Sequence, residues 1–250
     1  MSAKIVLWIC VSPTLQRFDR PLLNQLATQG SVLQWEYMQS LDEGSCLDQA
    51  VEQLQEFVRS FLQTGRQPRT FHLGGHGTGG LVALLYARRY PQWVESLALL
   101  GVAPTPSLTW HSHYYLRRQL TSWSRPVLLS QMVTTLFGEQ PPAHHRCLRQ
   151  RLEQDLDTAL TPHSLLSRAW IPAQGVEMPL FVGGAMDDEI IDRASLEQWQ
   201  PFLKPGDRLW VCAQGRHFFH ALYPTLVAQH LRAFWHHCPW GLSPGERFGA

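Results

Sequence analysis

Between Phe71 and Leu85 the chain reads Phe-His-Leu-Gly-Gly-His-Gly-Thr-Gly-Gly-Leu-Val-Ala-Leu-Leu, with five glycines in the seven residues from Gly74 to Gly80. The short apolar run before the glycines predicts a buried strand. The longer one after them, which Pro91 stops, predicts a helix. Glycines at this density serve a chain that must reverse direction tightly and pack backbone against backbone, because no Cβ stands in the way. Few folds demand such a strand-turn-helix.

The segments around it have the matching rhythm. Ile5 to Val11 is an apolar run too short to cross a membrane and with no small-residue cleavage site after it, so it reads as a buried strand. A short helix around Pro21 to Leu26 follows, then an alternating, less buried strand from Ser31 to Tyr37. From about Ser45, Leu47, Val51, Leu54, Val58 and Phe61 recur at helical spacing. Further apolar strands are predicted from Ser96, from Met178 and from Arg208, and a last helix runs to His237. Strands alternating with helices, several of them continuous apolar runs, predict a doubly wound, mostly parallel α/β sheet covered on both faces. Over 104–177 the alternation stops and helices are predicted at 108–123, 126–137, 143–160 and 162–170.

Composition narrows the function classes. At 250 residues and 44% apolar content the chain suits a single domain, 1–250, and is too short for two. Charged residues are 16% and nearly balanced, net +1, which argues against nucleic-acid partners. No segment approaches the length of an integral membrane helix. Five scattered cysteines without paired spacing suggest neither a disulfide framework nor a zinc site, and fit a reducing, cytoplasmic setting with no metal and no cofactor.

The segment Gly75-His76-Gly77-Thr78-Gly79-Gly80 resembles the nucleophile elbow of the α/β-hydrolase superfamily, G-x-S-x-G, in its common form Gly-His-Ser-x-Gly-Gly, at every position but one: Gly77 stands where the family has serine. That resemblance covers nearly the whole chain. It implies the α/β-hydrolase fold and makes 104–177 a helical lid inserted within the domain. It also implies the chain order nucleophile, acid, histidine. Asp188, followed by Ile190 and Ile191, resembles the family's strand-end acid, with Asp187 as the alternative or the pair as a solvated turn. In Gln-Gly-Arg-His-Phe-Phe, His217 resembles the family's loop histidine, with His220 the weaker competitor. His76, Gly77 and Thr78 would border a bound ligand. Where the family has His-Gly after the first strand this chain has Cys10-Val11-Ser12-Pro13, and because Pro13 has no amide, only Val11 or Ser12 could join Thr78 in holding an oxyanion. A cluster of His111, His113, Tyr114, Tyr115, Arg117 and Arg118 reads either as an anion pocket or as a helix with an aromatic face and a solvated basic face.

Thr78 is one residue late to replace the missing nucleophile, and Cys10 lies on a strand expected to be buried, where cysteine is usually inert. A glycine at the elbow centre also occurs in the N-myc downstream-regulated family, which keeps the fold and is regarded as non-hydrolytic. The resemblance thus implies a pseudo-hydrolase that binds a small apolar or acyl-type ligand or a protein partner. The alternative is an enzyme that uses Asp188 and His217 as a general base on a small acyl or carbonyl substrate. A third reading is an active hydrolase whose nucleophile lies elsewhere.

Overall fold

The computed structural model describes residues 5–37, 44–63, 70–105, 108–161 and 171–237. Six strands form one sheet in the order β2-β1-β3-β4-β5-β6, and every neighbouring pair is parallel. The strands are β1 (Ile5–Cys10), β2 (Ser31–Glu36), β3 (Phe71–His76), β4 (Val94–Leu100), β5 (Leu180–Ala185) and β6 (Arg208–Cys212). The inner strands are buried almost throughout. The two edge strands, β2 and β6, are only partly covered, which accounts for the alternation legible in Ser31 to Tyr37.

Helices α1 (Arg20–Ala27), α2 (Leu47–Gln63) and α3 (Gly77–Arg89) connect the first four strands. Between β4 and β5 come α4 (Trp110–Leu120), α5 (Arg125–Phe137) and α6 (Pro142–Thr158), with no strand among the described residues. The helix predicted over 162–170 and the tail from 238 lie outside the described residues. Short α7 (Arg193–Glu197) and α8 (Phe219–Leu222) precede the closing helix α9 (Pro224–His237).

The period of two along each strand sorts side chains into two cores. Ile5, Leu7 and Ile9 of β1, with Leu97 and Leu99 of β4, meet α2, α3 and the inserted helices. Val6 and Trp8, with Ala98, Leu100 and Phe181, meet α1 and α9. The β3–α3 junction needs its glycines for a measurable reason. A Cβ on Gly79 would stand 2.3 Å from the Ile9 carbonyl oxygen, so α3 lies against β1 with nothing between the backbones.

Candidate active site

The ends of β1, β3, β4, β5 and β6 converge at the carboxyl edge of the sheet, where open parallel sheets bind ligands. Asp188 follows β5 and His217 follows β6; both are buried, and His217 Nδ1 is 2.9 Å from Asp188 Oδ2. The other carboxylate oxygen, Oδ1, accepts the amides of Ile190 at 2.8 Å and Ile191 at 3.2 Å. Those amides exist because the chain turns tightly after the acid, and they set its orientation. Since a carboxylate accepts, Nδ1–H donates, and Nε2 is the lone-pair nitrogen. Asp187 faces elsewhere: its Oδ1 accepts the Arg216 amide at 2.9 Å.

Gly77 begins α3 with φ +52°, a left-handed conformation in which a side chain is strained. Beyond its chain neighbours and its own helix backbone, a Cβ built there meets one heavy atom within 4 Å among the described residues, His217 Nε2 at 3.7 Å. A cavity of about 40 Å³ lies beside it, walled by Val11, Ser12, His76, Gly77, Thr78 and His217, with Trp110 and Leu108 from the inserted segment. Ile9 and Phe218, 209 positions apart in the chain, thus share one space. The cluster on α4 has another fate. None of its six residues lines this cavity: His111 and Tyr114 are buried, Arg117 pairs with Glu189, and Arg118 donates to the Trp123 carbonyl. The solvated-face reading therefore fits its exposed members, and buried His111 and Tyr114 belong to packing.

Several contacts around the pair were not legible in the sequence. His76 Nε2–H donates to the His217 carbonyl oxygen at 2.9 Å, and its ring lies against those of His217 and His220. Burial first, then the neighbouring His220 and His217, lower its pKa well below the usual histidine value, so it is uncharged near neutrality. His220, the weaker competitor, has its own carboxylate, with Nε2 2.8 Å from Asp19 Oδ1. The Cys10 thiol donates to Asp19 Oδ2 at 3.3 Å; burial, and then that carboxylate, push its pKa far up, so it stays protonated and is no nucleophile. On α6, Asp155 accepts from Thr14 at 2.8 Å and Ser12 at 3.4 Å, tying the loop after β1 to the inserted helices. A signal for Asp155 was available: it falls on the apolar stripe of Leu148 and Leu152 at i+7 and i+3.

A family model described as the alpha/beta hydrolase family matches residues 18–230. A protein of uncharacterised function from Nostoc sp. (strain PCC 7120), alr2406, is 46% identical over 92% of this chain and 90% of its own length. Another, sll0249 from Synechocystis sp. (strain PCC 6803), is 41% identical over 92% and 89%. Among solved structures, the fold is similar to that of a meta-cleavage product hydrolase from Pseudomonas fluorescens IP01, a serine-to-alanine mutant complexed with acetates (TM-score 0.71, 13% identity, 95% of this chain and 92% of that one). It is also similar to carboxylesterase CesB from Bacillus subtilis (TM-score 0.70, 14% identity, 93% and 84%).

Proposed function

Because this chain belongs to the alpha/beta hydrolase family, we propose that it is an enzyme in which Asp188 and His217 act as an oriented general base on a small acyl or carbonyl substrate, with no covalent intermediate on the protein. One observation carries this reading: His217, held by Asp188, is 3.7 Å through Nε2 from where a side chain on Gly77 would begin. In a serine hydrolase that space is the nucleophile's. Here it is open to water or to a substrate O–H or C–H.

In the hydrolytic form, His217 Nε2 takes a proton from water as the water oxygen bonds to the acyl carbon. The carbonyl oxygen then carries the charge, and the Thr78 amide at the α3 N-terminus faces it together with the Val11 or Ser12 amide. Collapse of that adduct breaks the acyl bond, and the proton on His217 passes to the leaving group. A positioned base of this kind contributes roughly 10² to 10⁴-fold. Helices α4–α6 act as the lid, with Leu108 and Trp110 roofing the cavity.

The small cavity, about 40 Å³, favours a second reading, a non-hydrolytic binding protein with room for only a small group. Turnover of an activated short-chain ester separates the two. The general-base reading expects slow turnover without a burst, no labelling by a fluorophosphonate, and a loss of about 100-fold or more in His217→Ala. Activity undiminished in His217→Ala sinks it, and no turnover of any ester or activated carbonyl compound leaves the binding reading.

A further inference from the structure

Beside Asp188 and His217 lies a second group of side chains that the proposed chemistry does not use. Asp19 enters from the start of α1, His76 from the end of β3 and His220 from α8, and one potential ligand atom of each lies within 4.8 Å of the others. They come from sequence positions 57 and 144 residues apart, so no spacing along the chain announces them.

The hydrogen bonds leave this group incomplete. His220 is wholly buried; its Nε2 is committed to Asp19, and its Nδ1 is buried with no hydrogen-bond partner among the described residues. Nε2 is the nitrogen that faces Asp19, so it is the one an ion held between the two would take, with the ring proton on Nδ1. His76 donates its Nε2–H to the His217 carbonyl, so its Nδ1 is the lone-pair nitrogen. Two neutral imidazoles and a carboxylate are a donor set for divalent first-row transition ions. Calcium and magnesium take oxygen ligands instead.

We propose that Asp19, His76 and His220 form a binding site for a divalent transition-metal ion of the zinc class. Metal–ligand bonds of about 2.0 to 2.2 Å place ligand atoms roughly 3 to 4 Å apart. Separations of up to 4.8 Å therefore need to close by about 1 Å, while Asp19 and His220, 2.8 Å apart, open slightly, within the reach of small torsional adjustments. Asp19 and His76 also line the cavity, so the remaining coordination positions of such an ion face the space shared with His217 and Gly77. Three protein ligands with an open position are the arrangement of catalytic zinc sites. The site stands on its own geometry and goes beyond the general-base reading.

The test uses the full-length protein, stripped by chelator, titrated with Co²⁺ and followed by visible absorption. The expected result is one saturable equivalent of Co²⁺, displaced by Zn²⁺, with affinity falling about 100-fold in His220→Gln and in Asp19→Asn and unchanged in Asp188→Asn. Far-UV circular dichroism shows which variants are folded, and His76→Gln replaces any that is not. No saturable binding in the wild-type protein, or the same binding in all the variants, overturns the proposal. His217→Ala keeps Co²⁺ binding whether or not it loses turnover, so the metal site and the general base fail separately.

Discussion

Gly77 holds a backbone conformation, φ +52°, that a side chain tolerates only under strain, in an opening that a side chain would fit. Gly77→Ser is therefore expected to fold at a cost of about 1 to 3 kcal/mol, read as a lowered thermal midpoint. Its hydroxyl would enter the space facing His217 Nε2. Fluorophosphonate labelling and burst kinetics that the native protein lacks are the expected gain, and a folded Gly77→Ser protein that stays unlabelled would contradict the proposed role of the pair. Gly79 is a different case, since a Cβ there would stand 2.3 Å from the Ile9 carbonyl oxygen. Gly79→Ala must push α3 off β1, and chemical denaturation should register a loss on the order of 1 to 3 kcal/mol or more. Asp188 and His217 were legible because each sits in a short local pattern. Asp19 was not: it stands at the N-cap position of α1, yet its side chain caps nothing and is spent on His220 and Cys10.

At the level of elements, the informative contact is α6 against the loop after β1. Burial raises the Asp155 carboxyl to about 7, and the hydrogen bonds it accepts from Thr14 and Ser12 only partly offset this. His111 of α4 is the titratable group facing it, with Nε2 3.5 Å from Oδ2. A folded pKa above the unfolded value means the native state binds the extra proton. The stabilisation is thus complete below the unfolded value near 4 and is lost as pH rises toward about 7. Thermal midpoints should carry a downward contribution across that window, absent in Asp155→Asn; identical pH profiles for the two proteins would refute the assignment. Helix positions over 108–160 were readable from periodicity. The destination of the α4 polar residues was not, because a helical pattern names a face without naming what it meets.

For the whole molecule, one sheet with a core on each face predicts independence between the faces. Leu97 of β4 lies wholly buried in one core, and Leu231 of α9 in the other. Replacing either by alanine should cost about 2 to 5 kcal/mol. In the double variant the two losses should add to within about 0.5 kcal/mol, because residues without shared partners do not couple; a marked departure would mean the two layers do not pack as separate cores. The chain alone determined the parallel α/β architecture, the glycine junction and the helical stretch before β5, because apolar period and backbone freedom are properties of neighbouring residues. Only the tertiary structure decided which distant groups meet: His217 Nε2 opposite Gly77, Asp155 under the loop after β1, and Asp19 with His76 and His220. Those meetings depend on how helices and strand ends pack across the sheet, and no spacing along the chain encodes a contact made through space.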